Sequence, residues 1–359
     1  MNQKHFFTDD ALSVLTRIVS DIKNPVRKVL AVTGKSSYDV CGARTVIDGL
    51  KSELDLEISR FANFSVNPQY EDLQNGLDVM RGTNPDIIIA IGGGSVIDMA
   101  KLMRYYHADR NDMNAFQSRI PLIAIPTTAG TGSEATHFAV LYKEGKKSSI
   151  ADESIQPDFA IIDSSFTYGI KRYETACTGF DALAQAIEAY WNKNATEESD
   201  SYALKALELL WTTLPDVCKN PNSELRRRMS EGAYWAGRAI NITKTTAPHA
   251  FSYPFTSYYG IPHGHAVAIT FPFIADYNFL KGQITDKKKE TMINIFGSGK
   301  IYNIFHNCIY QLGLVIPSRS YDVNKILEGI SIERLANNPA DINSEDALNI
   351  INKAIKARH

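Results

Sequence analysis

His249 and His263 stand fourteen residues apart in PHAFSYPFTSYYGIPHGH, and upstream TGFDALAQAIEAYW places Asp181 and Gln185 four residues apart. On a helix, residues i and i+4 share a face. Asp181 and Gln185 therefore project together, and with His249 and His263 they read as one metal site. Two imidazoles and a carboxylate suit a divalent ion such as Fe²⁺, the first choice, or Zn²⁺ or Mn²⁺. Gln185 either adds a neutral amide oxygen, weaker than imidazole, or is a buried amide beside a three-ligand metal. Asp181 is expected early in a helix that starts after Gly179, where the N-terminal dipole stabilises an anion. His249 is expected in a helical run, and His263, after Pro262, in a loop.

A second set of residues suits a nucleotide. In IGGGSVIDMAK, Gly92, Gly93 and Gly94 end an apolar strand-like run and Ser95 opens a helix, with Asp98 following in the same motif. Glycines there let backbone approach a diphosphate, and the first helical amides and the dipole favour an anion. PTTAGTGSE adds the hydroxyls of Thr127, Thr128, Thr131 and Ser133 at the end of the next strand. Ligands bind at such strand ends in open α/β sheets. The first apolar strand ends in VTGKSSYD. Where an acidic residue would bind a ribose hydroxyl and repel a 2′-phosphate, Gly34 stands, followed by Lys35 and Ser36. That set favours NADPH over NADH.

The elements that must position these residues follow from the apolar runs. KVLAVTG, DIIIAIGGGS, IPLIAIPTTAGTGS and PDFAIIDSS lack period-2 alternation, so both faces should be buried, as in a parallel sheet covered by helices. Helical patterns over 72–81 and 95–107 fill the gaps. The predicted fold is a doubly wound α/β dinucleotide-binding domain over residues 1–168 and an all-α metal and substrate domain over 169–359. In the second half, apolar residues recur at helical spacing at Leu204, Leu207, Trp211 and Leu214, and again from Leu225 to Ala236 with Ser223 as N-cap.

Bulk properties exclude several classes. The 359 residues are 44% hydrophobic and 22% charged, with a formal net charge of −2. No basic surplus exists to neutralise nucleic acid. The one basic run, Arg226–Arg228, reads as a solvated helix face. No apolar run reaches the roughly 20 residues of a membrane span, and no signal core opens the chain, so a cytoplasmic protein is expected. Cys41, Cys177, Cys218 and Cys308 show no paired spacing and read as free thiols.

With GGGSVIDMAK, PTTAGTGSEAT, TGFDALAQAIEAYW, HAFSYPF and PHGHAVAI in order, the chain resembles the iron-containing, metal-dependent alcohol dehydrogenase family. The resemblance implies a dinucleotide domain and a helical domain, a metal in the cleft between them with the nicotinamide facing it, and a homodimer. It also implies a ligand set of one aspartate and three histidines. Asp181, His249 and His263 match; Gln185 departs. Tyr253 stands where the family commonly has a histidine assigned to proton relay.

NITKTTAPHAFSYPFTSYYGIPHGHA and IEAYWNKNATEESDSYAL look most like the phosphonoacetaldehyde reductase branch, whose enzymes interconvert phosphonoacetaldehyde and 2-hydroxyethylphosphonate. Lys244, Thr245 and Thr246, just before His249, would then grip the phosphonate, with Arg238 nearby. The expected chemistry is carbonyl reduction by NADPH or NADH, the proton coming from a relayed water, the cofactor ribose, Tyr253 or His265. The alternatives are a broad alcohol or diol dehydrogenase, a lyase of the dehydroquinate-synthase type, which the modest basic content disfavours, and a catalytically inactive binding protein.

Overall fold

The computed structural model describes residues 3–107, 119–143 and 146–357. The chain divides into two compact units, Met1–Gly169 and Ile170–His359. The first is built on a six-stranded sheet of β1 (Lys4–Thr8), β2 (Lys28–Thr33), β3 (Glu57–Phe61), β4 (Ile87–Gly92), β5 (Leu122–Pro126) and β8 (Phe159–Asp163), in the order β1-β8-β5-β4-β2-β3. Every neighbouring pair is parallel.

The runs lack polar alternation because each face of the sheet has its own core. Ile87, Ile89 and Ile91 of β4 pack with Val29, Ala31, Ile123 and Ile125 on one side. Ile88 and Ala90 pack with Leu30, Val32, Leu122 and Ala124 on the other. Helices Ala11–Asp21, Ala43–Leu54, Tyr70–Thr83 and Gly94–His107 contribute to these two cores. A fully buried isoleucine contributes about 1.5–3 kcal/mol by transfer from water.

Strand order reverses between β2 and β4: the chain leaves β2 toward β3, and leaves β4 toward β5 on the opposite side. In doubly wound sheets that reversal opens a crevice at the carboxyl ends of the two strands. The loops after β2, β4 and β5 share that edge because the strands are parallel neighbours.

The remaining pair, β6 (Phe138–Lys143) and β7 (Lys146–Ala151), forms a separate antiparallel hairpin. The hairpin and the edge strands β1 and β3 are absent from the sequence reading. Both edge strands mix exposed and half-buried positions and carry no continuous apolar run.

The second unit is helical throughout its described residues. Its central helix, Arg172–Trp191, is buried almost continuously from Thr175 to Trp191, as expected for a helix enclosed on all sides. Alanines at 176, 182, 184, 186 and 189 keep that helix thin. It begins two turns earlier than Gly179, so Asp181 lies near its middle, beyond reach of a terminal dipole. His263 lies not in a loop but at the first position of helix His263–Lys281, with Pro262 as N-cap. The Ser223–Thr243 helix is capped by Asn222, which accepts from the Leu225 amide at 2.9 Å, rather than by Ser223.

The basic run divides as well. Arg226 is buried and donates to Thr175 Oγ1 and the Ile170 carbonyl, both at 2.9 Å, while Arg227 pairs with Glu224 at the surface. A guanidinium with five donors tolerates burial where carbonyl and hydroxyl acceptors meet it. Cys41, Cys177, Cys218 and Cys308 are free thiols. Among the described residues no helix is long and apolar enough to cross a membrane.

Replacing Ile89 with Ala removes side-chain volume from a fully buried strand. The expected cost is about 2–5 kcal/mol, read as a lower denaturant midpoint at unchanged slope.

Candidate functional site

Three helices of the second unit assemble one cluster. Arg172–Trp191 carries Asp181, Ala247–Tyr259 carries His249, and His263–Lys281 opens with His263. The ligand atoms of Asp181, His249 and His263 lie within 4.8 Å of one another, and this is the metal-competent cluster of histidine, cysteine and carboxylate donors among the described residues. Asp181 and His249 are buried; the His263 side chain keeps 34% exposure. His263 points Nε2 toward Asp181 at 3.9 Å, and its Nδ1 lies 3.5 Å from Ser252 Oγ. One carboxylate and two imidazoles at this spacing suit a divalent transition ion. Gln185, also buried, lies one turn on from Asp181 along the same helix face.

Two backbone features make the cluster possible. Pro254, inside the Ala247–Tyr259 helix, has no amide to bond the Ala250 carbonyl, and the Ser331 amide takes that carbonyl at 3.3 Å. Gly264 lets the His263 helix approach the central helix. A Cβ there would collide with the Cys177 carbonyl and stand 3.1 Å from the Asp181 Cβ.

His249 is held from both ring nitrogens. Nε2 meets Asp181 Oδ1 at 3.0 Å, and Nδ1 meets Glu188 Oε1. Both partners are carboxylate oxygens and only accept, so without a metal the ring donates twice and is an imidazolium. Burial opposes that charge, but Glu188 and Asp181 outweigh it and push the ring up to about 10. Glu188, fully buried, carried no signal of its own in the sequence reading, although it lies two turns from Asp181 on the same face.

The other residues singled out in the second unit are spread more widely. His265 has both ring nitrogens engaged: Nε2 donates to the Val315 carbonyl at 2.8 Å, so Nδ1 accepts from the Tyr173 hydroxyl at 2.9 Å. Burial holds it below the usual histidine range. Tyr253 stacks on His263 with ring centroids 6.2 Å apart, beside the cluster. Thr246 is buried, and its amide and hydroxyl both donate to Glu188. Thr245 is buried, and its carbonyl accepts from Asn337. Lys244 has φ +62° and ψ −177°, and its Nζ pairs with Glu333 at 2.9 Å. Arg238 lies against Tyr202 and Tyr234.

In the first unit, two loops pack against each other at the carboxyl edge. A Cβ on Gly94 would stand 2.7 Å from Thr131 Oγ1, and one on Gly93 3.5 Å from Thr128 Oγ1. The Thr127 amide donates to the Gly92 carbonyl at 3.0 Å. Gly93, Gly94, Ser95, Thr128 and Thr131 stay half exposed around this contact. Gly94, whose Cβ position the facing loop occupies, and Gly93, in ordinary contact with it, make a cradle that backbone amides can line.

Behind the cradle, Ser133 donates to Asp98 Oδ1, and buried Lys101 donates to Ser133 Oγ at 3.0 Å, Thr136 Oγ1 at 3.1 Å and the Phe138 carbonyl at 2.9 Å. Burial pulls Lys101 down to about 8. Ser133 and Asp98 thus brace the loop from within. After β2, Lys35 and Ser36 are exposed, and Arg60 donates to the carbonyls of Gly34 and Lys35 at 2.8 and 3.3 Å. Arg60, which no sequence motif marked, adds a second cation there.

Three outcomes follow for the cluster. His249 is raised in the fold, so its contribution to metal-free stability is complete below about pH 6.5 and lost as pH rises through about 10. Denaturant midpoints of metal-free wild type and His249→Gln should converge between about pH 6 and about pH 10, and Zn²⁺ uptake at neutral pH should release a proton. Gly264→Ala should cost about 1–3 kcal/mol through overpacking and weaken Zn²⁺ binding, measured by equilibrium dialysis.

Comparison with known proteins fits this geometry. The model described as iron-containing alcohol dehydrogenase matches residues 2–164, and the C-terminal model of the Fe-containing alcohol dehydrogenase family matches residues 175–306. Aldehyde-alcohol dehydrogenase 2 of Entamoeba histolytica is 34% identical over 283 residues, which is 73% of this chain and 32% of that protein. The chain spans about a third of the length of the aldehyde-alcohol dehydrogenases it matches. Alcohol dehydrogenase 4 of Saccharomyces cerevisiae is 30% identical over 76% of this chain and 73% of its own length. Among solved structures, sulfoacetaldehyde reductase from Bifidobacterium kashiwanohense in complex with NAD⁺ superposes with a TM-score of 0.89 at 27% identity, covering 99% of this chain and 97% of that one. Matched in both its nucleotide half and its helical half, this chain belongs to the iron-containing alcohol dehydrogenase family.

Proposed function

We propose that this chain reduces a small aldehyde to a primary alcohol with NADPH, and that the aldehyde is phosphonoacetaldehyde, giving 2-hydroxyethylphosphonate. The observation that carries the reaction class is the Asp181–His249–His263 cluster, with His263 as its half-exposed member. Asp181, His249 and His263 would hold a divalent ion, which would supply Lewis acidity toward a carbonyl oxygen, while a bound nicotinamide would supply the hydride. Gly93, Gly94, Thr128 and Thr131 bind the diphosphate, and Lys35, Ser36 and Arg60 favour a 2′-phosphate.

The chain's own proton chemistry is narrowed by His265, whose ring nitrogens already serve Tyr173 and Val315. Relayed water, the cofactor ribose and Tyr253, stacked on His263, remain as proton sources. An anionic substrate is supported by the structural neighbour named for sulfoacetaldehyde, another two-carbon aldehyde bearing an acid group.

The grip on that anion rests on Lys244. Thr246 is committed to Glu188, whereas the Lys244–Glu333 pair is part-exposed, with the two side chains 41% and 63% accessible. An exposed pair of that kind contributes about 0–1 kcal/mol, so a phosphonate dianion can displace Glu333 at small cost. A broader alcohol dehydrogenase is the second reading, favoured by the names of the yeast and Entamoeba relatives.

NADPH oxidation with phosphonoacetaldehyde against a panel of uncharged aldehydes, with Fe²⁺, Zn²⁺ or Mn²⁺ added, decides between them. His263→Ala should abolish turnover while NADPH still binds. Lys244→Ala should raise KM for the phosphonate about 10–100-fold, the worth of one hydrogen bond to a charged group, and leave uncharged aldehydes unchanged. Equal effects on both substrate classes overturn the phosphonate assignment.

A further inference from the structure

We propose that Glu188 is the positioning residue of the metal centre: it sets the proton and orientation of His249 so that Nε2 is the ligand atom, and it completes the charge of the site. The inference rests on the reading of Asp181, His249 and His263 as metal ligands.

Glu188 is fully buried and lies two helical turns from Asp181 on the Arg172–Trp191 helix, so one helix face brackets His249 with two carboxylates. Its own orientation is determined by three contacts. Oε1 meets His249 Nδ1, and Oε2 accepts from the Thr246 amide at 2.5 Å and the Thr246 hydroxyl at 2.9 Å. The Thr246 hydroxyl in turn accepts from Trp191 Nε1 at 3.0 Å. With Oε2 accepting from two donors, a carboxylate clamped in this way offers Oε1 to Nδ1 as an acceptor, which places the ring proton on Nδ1. A neutral ring then has its lone pair on Nε2, the atom that faces Asp181 and His263.

Charge points the same way. One aspartate and two neutral imidazoles around a divalent ion leave a net charge of +1, and buried net charge is costly. Gln185, a neutral amide, does not change that sum. Glu188, one imidazole ring away, brings it to zero. Carboxylates behind a ligating histidine are a general means of fixing tautomer and raising ligand basicity.

Glu188→Gln cannot reproduce the arrangement. If the amide presents its oxygen to His249, its NH₂ meets the Thr246 amide, donor against donor. If it presents its NH₂ to His249, Nδ1 must accept and the proton moves to Nε2, where it blocks ligation.

The test is Zn²⁺ binding to the full metal-free chain, measured by chelator competition for wild type and Glu188→Gln, with NADPH binding and far-UV circular dichroism as controls of folding. The expected result is a fall in Zn²⁺ affinity of about 10–100-fold with NADPH binding retained. In parallel, ¹⁵N-histidine-labelled, Zn²⁺-loaded wild type should show His249 protonated at Nδ1 with its Nε2 resonance shifted by the metal. A role confined to packing moves the first measurement only through stability and does not predict the second. Wild type that binds no Zn²⁺ overturns the metal centre and this inference together. Wild type that binds while Glu188→Gln binds within about threefold overturns the inference alone, as does a proton found on Nε2 in the loaded protein. Should Glu188→Gln fail to fold, the labelled wild type decides.

Discussion

Asp181, His249 and Glu188 form a row of buried charged groups, and the helical unit is arranged around them. Two carboxylates from one helix are withdrawn from water, and neither is tolerable alone: breaking a buried pair by removing one partner costs about 3–5 kcal/mol. The imidazolium of His249 neutralises part of that charge when no metal is bound. A divalent ion beside a neutral His249 neutralises all of it. The same constraint therefore supports folding and holds the ligands at metal spacing. It also dictates close packing, because the helices bearing His249 and His263 must reach a thin, alanine-rich central helix, and Gly264 leaves the room for one of them.

The nucleotide unit follows a different logic. Its cradle is made of close contacts between backbone and hydroxyls, with Gly93 and Gly94 set against Thr128 and Thr131. Charge is kept behind it, where Lys101 serves three oxygen acceptors and Asp98 takes the Ser133 hydroxyl and the Val140 amide. The cradle's outward edge thus carries backbone dipoles and hydroxyls rather than full charges. The strand-order reversal between β2 and β4 brings the exposed Lys35, Ser36 and Arg60 to the same edge.

Lys244 sits at the turn between the Ser223–Thr243 and Ala247–Tyr259 helices. Its backbone occupies a region that side-chain-bearing residues rarely adopt, at a cost on the order of 1–3 kcal/mol. The surroundings impose it: the Lys244 amide donates to Ile240, and its carbonyl accepts from Thr243 Oγ1 and Asn192 Nδ2. Two residues on, Thr246 must face Glu188, which leaves little freedom for the turn between the two helices.

Much of this was legible in the chain. Unbroken Ile, Val and Ala runs predicted the buried parallel strands, because strands covered on both faces need apolar residues at every position. His249 and His263 reach Asp181 only through the packing of three helices; the four-residue spacing that put Asp181 and Gln185 on one face was legible because a helix turn is a short-range geometric fact. The glycine and threonine motifs predicted loops at strand ends for the same reason. The edge strands β1 and β3 and the β6–β7 hairpin were not legible, since half-exposed strands carry no continuous pattern. Helix starts at Arg172 and His263 were misplaced because neither is marked by a capping side chain: Lys171 and Pro262 stand at the N-caps and accept no first-turn amide. Arg226, Thr246 and Glu188 show the limit most clearly. Each is polar and looks like a surface or ligand-binding residue in one dimension. Only the folded chain brings the distant acceptors and donors that make burial of each one favourable.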